Sequence, residues 1–121
     1  MYLFIRFYFS PIDFEISDDD IYLGIDIAIP CGLMVNELFS NSMKYAFVNQ
    51  EKGLLSIDIK NKRTAYSIII TDDGIGFPDN VDFRNSESLG LKIVNALVSQ
   101  LDGTIDLFVN NGTTFIIKFK A

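Results

Sequence analysis

Strand patterns in this chain occur in pairs, and helical patterns separate the pairs. Apolar residues alternate with polar ones over residues 12–16 and again over residues 23–27, which predicts two short strands. A helix is predicted to follow, with Pro30 in its first turn and an end at about Phe47. A chain that starts in this way needs a sheet against which the helix buries its apolar side.

The second half of the chain repeats the alternation. Two strands are predicted at LLSIDIK and AYSIIIT, and the latter is apolar enough to lie in the centre of a sheet. A second helix, LGLKIVNALVSQLDG, is predicted to end at Gly103, and the strands TIDLFV and TTFIIKFK are joined by a hairpin signal, NNG. The order predicts an α+β fold: a two-layer α/β sandwich with a mixed, mostly antiparallel sheet and helices on one face. We expect residues 12–121 to form one domain and residues 1–11 to be an N-terminal extension or the end of an upstream region.

Composition excludes several classes of function. The net charge of −6 argues against a nucleic-acid partner, because phosphate backbones select basic surfaces. The apolar opening is nine residues long and contains Arg6, so it is too short to span a bilayer, and we expect no direct membrane contact by this domain. Without histidine, and with Cys31 as the one cysteine, the chain cannot form a His- or Cys-based zinc site or a Ser-His-Asp or Cys-His pair. The unpaired cysteine is typical of a reducing, cytoplasmic setting.

Polar residues form a stripe on the first helix, in the segment NELFSNSMKYAF. Glu37, Asn41, Lys44 and Tyr45 stand at i, i+4, i+7 and i+8, which places them on one side. A solvated helix face with weak hydrogen bonds and ion pairs is the plainer interpretation, and it would contribute only a few tenths of a kcal/mol.

A glycine-containing turn, TDDGIGF, follows the predicted central strand. Asp72 ends that strand, and Gly74 and Gly76 leave a flat ligand room to approach the backbone. The carboxylate can accept a hydrogen bond from an exocyclic amine. An Asp-Gly hairpin turn is the alternative, although the following FPDNVDF does not read as a partner strand.

The start of the second helix, SLGLKIV, is the third polar feature. Gly90 lies in its first turn, where unpaired N–H groups and the helix dipole favour an anion, and Lys92 adds a positive charge. The alternative is an ordinary helix start, capped by Ser86 or Ser88, in which the glycine serves packing.

Taken together, these segments resemble the ATP-binding domain shared by sensor histidine kinases, type II topoisomerases, heat-shock chaperone ATPases and mismatch-repair ATPases, often called the Bergerat fold. NELFSNSMKYAF resembles the N-box, DDGIG the G1 box, SLGLKIV the G2 box and GTTFIIKF, from Gly112, the closing G3 strand, in the family's order. The segment AIPCGLMVNELFSNSMKYAF is most similar to a histidine-kinase subfamily with a short lid.

The resemblance implies a role for each matching residue at the base end of the nucleotide. Asp72 would accept from the adenine 6-amino group, Gly74 and Gly76 would give the backbone room, and Thr113 would assist through water. Tyr45 would pack near the sugar or base.

At the phosphate end, the resemblance implies that Asn41 coordinates Mg²⁺, which prefers oxygen ligands and keeps several waters. Lys44 would neutralise phosphate charge, and Glu37 would be the N-box acid, a candidate general base. Phosphates would approach the first turn of the second helix, formed by Ser88, Leu89, Gly90 and Leu91.

Two departures from the family pattern concern the lid and the G2 box. Ser88 stands where the family often has a first glycine. Residues 77–88 form a short lid of 12 residues without glycine. Phe83 and Arg84 could fold this lid over the nucleotide, with Arg84 near phosphate; a mobile polar loop is the alternative.

The predicted function is therefore that of the Mg-ATP-binding catalytic domain of a two-component sensor histidine kinase. Since the chain has no histidine, the γ-phosphoryl group would go to a histidine on a separate dimerisation and phosphoacceptor domain, and then to a response regulator receiver domain. The alternatives are a stand-alone serine kinase of the anti-sigma-factor type and a non-catalytic nucleotide-sensing interaction module.

Overall fold

The computed structural model describes residues 12–18, 24–42, 53–62, 65–74, 82–85 and 88–120. Residues 1–11, most of the lid and three predicted site residues, Lys44, Tyr45 and Gly76, lie outside these ranges. The elements are β1 (Ile12–Asp18), α1 (Ile25–Asn41), β2 (Gly53–Lys62), β3 (Ala65–Asp72), a 3₁₀ turn (Phe83–Asn85), α2 (Leu89–Gln100), β4 (Thr104–Val109) and β5 (Thr113–Lys120).

The described strands form one mixed sheet in the order β1-β2-β3-β5-β4. β1 pairs with β2 in parallel, and the other three pairings are antiparallel. β3 therefore lies in the middle of the sheet, as its run of isoleucines predicts. The mixed, mostly antiparallel sheet of the sequence prediction is confirmed.

Both helices cover one face of this sheet. Along β3 and β5 every second side chain is buried, so one face of each strand is turned towards the helices. The helices contribute apolar residues at intervals of three and four positions, and the core joins the two layers. Its most deeply buried members are Met34, Leu38, Leu55, Ile68, Ile70, Val94 and Ile117. The two-layer α/β sandwich is confirmed.

The first helix begins earlier than predicted, so the strand predicted over residues 23–27 is wrong in its described part. α1 starts at Ile25 and contains Pro30 inside it rather than in its first turn. The segment IDIAI alternates, but Ile27 also begins a series with Cys31 and Met34 at spacings of four and three. That series packs into the core while Ile25 stays 76% exposed, so burial along the helical stripe decides the conformation.

The C-terminal cap of helix α2 uses the residue before the predicted glycine. Gly103 N donates to Val98 O at 2.9 Å and Asp102 N to Ser99 O at 3.0 Å, while Asp102 takes the left-handed conformation at φ 51°. This is the Schellman pattern, with an aspartate in the position that glycine usually occupies. Gly103 is required for space instead, since a Cβ there would lie 2.5 Å from Lys118 O.

The predicted hairpin between β4 and β5 is confirmed. Asn111 has φ 51° and Gly112 has φ 134°, and Asn110 N donates to Gly112 O at 3.1 Å. This turn aligns Thr113, the first residue of β5, with Asp72, the last residue of β3. The turn therefore places Thr113 beside Asp72 at the same end of the sheet.

Candidate functional site

The covered face of the sheet turns polar at one end. On β3 the buried positions read Ile68, Ile70 and then Asp72, and on the neighbouring strand Phe115 is followed towards the same end by Thr113. Asp72 and Thr113 are each only 5% exposed. A carboxyl group at a core position is rare unless it is paired or has a function, so this end of the sheet is the place to look for a site.

Three donors from three segments of the chain hold the Asp72 carboxylate. Its Oδ1 accepts from Gly74 N at 3.0 Å and from Thr113 N at 3.3 Å, and its Oδ2 accepts from the Ser42 hydroxyl at 3.1 Å. Gly112 makes the second of these bonds possible, because a Cβ at that position would collide with the backbone carbonyl of Asp72. The carboxylate is thus fixed in direction before any ligand is present.

Burial raises the pKa of Asp72 above its ordinary value of 3.8. The hydrogen bonds from Gly74, Ser42 and Thr113 act in the opposite direction, and the charge of Asp73 adds to the increase. Asp73 itself has a different role, since its carboxylate accepts from Leu54 N at 2.7 Å and closes the end of the β2–β3 ladder. Of the two adjacent carboxylates, only Asp72 belongs to the polar end of the covered face.

The end of α1 lies beside this carboxylate. Ser42 is 6% exposed and continues the helical backbone, with its N–H directed to Leu38 O and Phe39 O. Its neighbour Asn41 has a buried side-chain Nδ2 without a hydrogen-bond partner among the described residues. An unpartnered buried amide costs free energy on folding, which is a reason to expect a ligand or water at that position.

One turn earlier on α1, Glu37 reaches the start of α2. A Cβ placed on Gly90 would lie 2.6 Å from Glu37 Oε2 and 3.8 Å from Ser88 Oγ. Ser88 is the N-cap residue, but its side chain makes no capping hydrogen bond. Of the residues expected there, Leu89 is exposed and Leu91 is buried in the core, so Leu91 could meet a ligand only through its backbone.

The structure therefore brings two groups of predicted site residues together along the C-terminal half of α1. The first group consists of Asp72, Gly74 and Thr113, held together with Ser42 by hydrogen bonds, and Asn41 is the residue before Ser42 on α1. Glu37 and Gly90 form the second, beside Ser88. Because Glu37 and Asn41 are four residues apart, about 6 Å separates the two groups along the helix axis.

A comparison with known protein families identifies the family to which the chain belongs. Residues 27–121 match the model of the histidine kinase-, DNA gyrase B- and HSP90-like ATPases. The chain belongs to this ATPase family. The sensor histidine kinase PdtaS of Mycobacterium tuberculosis is 34% identical over 88 residues, which cover 70% of this chain and 17% of that protein. The blue-light-activated histidine kinase 2 of Erythrobacter litoralis is 26% identical over 105 residues, 86% of this chain and 30% of that protein.

A solved structure agrees with the family assignment. The histidine kinase domain of the Erythrobacter litoralis EL346 blue-light activated histidine kinase superimposes with a TM-score of 0.87 at 25% identity, covering 92% of this chain and 52% of that chain. The resemblance inferred from the sequence is thus confirmed at the level of family and fold. Membership in the ATPase family implies ATP binding. In the part of the chain that the structure describes, no helix is long and apolar enough to cross a membrane.

The described lid segment, residues 82–85, departs from the sequence expectation. Phe83 is buried and meets the Phe115 ring edge-on at 5.7 Å, so it belongs to the core and does not fold over a nucleotide. Arg84 donates to Ile105 O at 2.6 Å, approaches Asp106 Oδ1 at 3.4 Å and lies over the Phe83 ring. Asn95 Nδ2 on α2 donates to Phe83 O at 2.8 Å. The expectation of Arg84 near phosphate is wrong here, because these contacts direct it to β4.

Sequence reasoning missed Ser42. The signal was present, since Ser42 lies four residues after Leu38 and continues the stripe by which α1 packs into the core. A serine at an apolar position of that stripe needs a hydrogen-bond partner, and Asp72 is the acceptor.

A magnesium ion at this site would need ligands from the nucleotide and from water in addition to those from the protein. Among the described residues no group of three or more His, Cys, Asp or Glu side chains could hold a metal ion. The Asn41 amide fits the alternative, since rotating it by half a turn places its oxygen where the unpartnered nitrogen now lies. A single amide oxygen, supplemented by phosphate oxygens and water, is a donor set that Mg²⁺ accepts.

Asp72→Asn is expected to abolish discrimination in favour of adenine nucleotides while leaving stability at pH 7 unchanged or increased. Since the pKa of Asp72 is raised in the folded state, the carboxyl group favours folding most below pH 3.8, and this contribution is lost as the pH rises through the folded-state pKa. The unfolding free energy of the wild type should therefore fall relative to that of the variant between about pH 4 and pH 7. Urea unfolding at both pH values tests this.

The control for this variant is Asp102→Asn, which changes an exposed aspartate at the end of α2. It should keep the adenine selectivity of the wild type. A large loss of stability in Asp72→Asn at pH 7, or adenine selectivity equal to that of the wild type, would contradict the assignment of Asp72.

Ser42→Ala should raise the pKa of Asp72 further, since the hydrogen bond from Ser42 lowers it. We expect a stability loss of about 1–3 kcal/mol from the buried oxygen left with one donor fewer, and a roughly fivefold weaker affinity for adenine nucleotides. Carbon-detected NMR titration of the Asp72 carboxyl group measures the first effect. Ser99→Ala, an exposed serine on α2, is the matched control, and an unchanged Asp72 titration in Ser42→Ala would refute the coupling.

Proposed function

We propose that this chain is the Mg-ATP-binding catalytic domain of a sensor histidine kinase, and that the γ-phosphoryl group of its ATP goes to a histidine on another domain. The observation that carries the proposal is the junction at the end of α1. There the Ser42 hydroxyl donates to the buried Asp72 carboxylate at 3.1 Å, and the buried amide nitrogen of the adjacent Asn41 has no partner among the described residues. The carboxylate proposed to read the base is thus bonded to Ser42, and the amide proposed to bind the metal–phosphate complex belongs to the preceding residue of α1.

Asp72 would select adenine by hydrogen-bond polarity. Its Oδ1 already serves two backbone donors, whereas Oδ2 accepts from Ser42 and retains capacity for one more donor. The 6-amino group of adenine supplies such a donor. Guanine carries an oxygen at that position, and two acceptors facing each other at a buried site would leave both unsatisfied.

The phosphates would extend along α1 from Asn41 towards Glu37 and the first turn of α2, which begins at Leu89. Helix N-termini favour anions because their first N–H groups have no intrahelical partner. When bound through Asn41, Mg²⁺ supplies charge neutralisation for the phosphate chain. Lys44, Tyr45 and Gly76 are proposed to complete the site from segments outside the described residues, in the roles given by the family resemblance.

In the proposed reaction an imidazole nitrogen of the acceptor forms a bond to the γ-phosphorus. The bond from that phosphorus to the bridging oxygen breaks, and ADP leaves with the electron pair. Glu37 is proposed to take the proton that the imidazole gives up, since its carboxylate lies at the start of α2 where the phosphates would arrive. Catalysis of this kind depends mainly on positioning and electrostatics.

The acceptor must lie on another domain or another protein, because the chain has no histidine. The chain spans 17–20% of the length of its mycobacterial relatives, so the partners named here belong to the proposal. We propose a histidine-bearing dimerisation domain as the direct partner, a response regulator receiver domain as the next acceptor, and a cytoplasmic location. The names of these relatives, sensor histidine kinases at 31–34% identity, support this choice over the serine kinase and the non-catalytic module.

Isothermal titration calorimetry with a non-hydrolysable ATP analogue tests the proposal. The wild-type chain should bind the analogue more tightly with Mg²⁺ than with EDTA, and Asn41→Ala should lose that difference because it removes the proposed ligand. The change should leave the fold intact, since the side-chain nitrogen that it deletes has no partner among the described residues.

Asn36→Ala is the matched control, because this asparagine lies on the same helix with its side chain exposed. It should bind like the wild type under both conditions. Equal Mg²⁺ dependence in Asn41→Ala and the wild type would overturn the metal assignment, and failure of the wild type to bind would overturn the proposed function.

A further inference from the structure

Glu37 and Gly90 share one small space between the two helices. A Cβ on Gly90 would lie 2.6 Å from Glu37 Oε2 and 3.7 Å from Glu37 Cδ, and a separation under 3.0 Å between such atoms is essentially not seen in proteins. The carboxyl group therefore lies where any side chain at position 90 would begin. Contacts between α1 and α2 bring the two residues together.

A glycine inside a helix, such as Gly90 in α2, is unfavourable unless something in the structure requires it. Alanine is preferred to glycine in helices because glycine loses more backbone freedom when it is ordered. Gly32 provides the contrast within the same molecule, because a Cβ there would meet nothing within 4 Å. Of these two helical glycines, only Gly90 stands where an added Cβ would meet a neighbouring side chain.

We propose that Gly90 is a positioning residue for Glu37: the missing side chain reserves the space in which the Glu37 carboxylate stands at the amino end of α2. The inference rests on the proposed function where it treats Glu37 as the acceptor of the imidazole proton. It assigns Gly90 a role besides leaving the phosphates room to approach. The positive end of the α2 dipole favours a carboxylate at this place.

Gly90→Ala is a mild and selective change. The obstructing atom is the far end of a flexible side chain, so the new methyl group displaces the Glu37 carboxylate and leaves the helix backbone in place. The variant should fold, and its consequences should depend on which residue occupies position 37.

A thermal double-mutant cycle measures this dependence. Gly90→Ala should lower the Tm, or leave it unchanged, in the chain with Glu37, and should raise it by roughly 3–6 °C in the Glu37→Ala background, where helix propensity acts alone. Gly32→Ala is the control and should raise the Tm by a similar amount in both backgrounds. Glu37→Asp, whose carboxylate is one methylene shorter, should relieve most of the penalty of Gly90→Ala.

A spectroscopic cycle tests position as distinct from stability. Glu37→Gln removes the charge with little change of shape, and it should shift the backbone amide resonances of Leu89, Gly90 and Leu91. In the Gly90→Ala background the same substitution should shift the amides of positions 89 to 91 by less than half as much, because the carboxylate has already moved. Equal Tm effects in both backgrounds together with equal amide shifts would overturn the inference.

Both cycles run without nucleotide, so their outcome is separate from that of the proposed function. Calorimetry with the Mg²⁺ complex of a non-hydrolysable ATP analogue, on the wild-type chain, tests the function alone. Binding without coupling between positions 37 and 90 would overturn the inference and leave the function standing. Coupling without nucleotide binding would establish the contact and overturn the function.

Discussion

The buried carboxylate of Asp72 is the interaction on which the site depends. Its three donors come from the turn after β3, from the first residue of β5 and from the end of α1, so one side chain joins three parts of the chain. The fold has to bring all three together for the carboxylate to be satisfied. Each donor also restricts the carboxylate to one direction, which is what selective recognition of an exocyclic amine requires.

The polar groups proposed to bind the nucleotide reduce the stability of the folded chain. Burial raises the pKa of Asp72, which means that the ionised form is disfavoured in the folded state. The amide nitrogen of Asn41 at the end of α1, which is buried and has no partner in the described part of the chain, is a second unfavourable group. The two groups are related through consecutive residues of α1, since Asn41 precedes the Ser42 that donates to Asp72. A ligand that donates a hydrogen bond to Asp72 and presents a metal ion to the Asn41 amide oxygen would compensate both, which is the reason for treating the end of α1 as the centre of the site.

Most of the secondary structure could be predicted from the sequence, because the local patterns agree with the packing of the fold over most of the chain. The strands β2 to β5, the helix α2 and the hairpin at residues 110–112 all carry periodic or turn signals that the fold satisfies. Residues 25–27 could not be assigned in this way, since their alternation fits a strand while the series from Ile27 to Met34 fits a helix. The helix forms because its stripe of Ile27, Cys31 and Met34 packs into the core formed with the sheet, which the local sequence does not reveal.

The polar contacts were less accessible to sequence reasoning. Asp72 and the glycines near it were recognisable by their order along the chain, but Ser42 acquires its partner from a residue 30 positions away. Arg84 shows the reverse case: its charge suggested phosphate, whereas the burial of Phe83 and the carbonyl of Ile105 direct it to β4. A side chain's partners are set by the elements that pack around it, and these are not encoded in its immediate neighbours.

We expect the end of α1, the turn after β3 and the start of α2 to line one nucleotide cleft. Substituting Mn²⁺ for Mg²⁺ in complex with a non-hydrolysable ATP analogue tests it, because the paramagnetic ion broadens NMR signals according to distance. A single cleft should give simultaneous broadening of the amides of Asn41 and Ser42, of Gly74 and of Leu89 to Leu91, while Ala65, at the opposite end of β3 from Asp72, stays sharp. Broadening of only one of these segments, or of none when the analogue is bound, would contradict a single cleft.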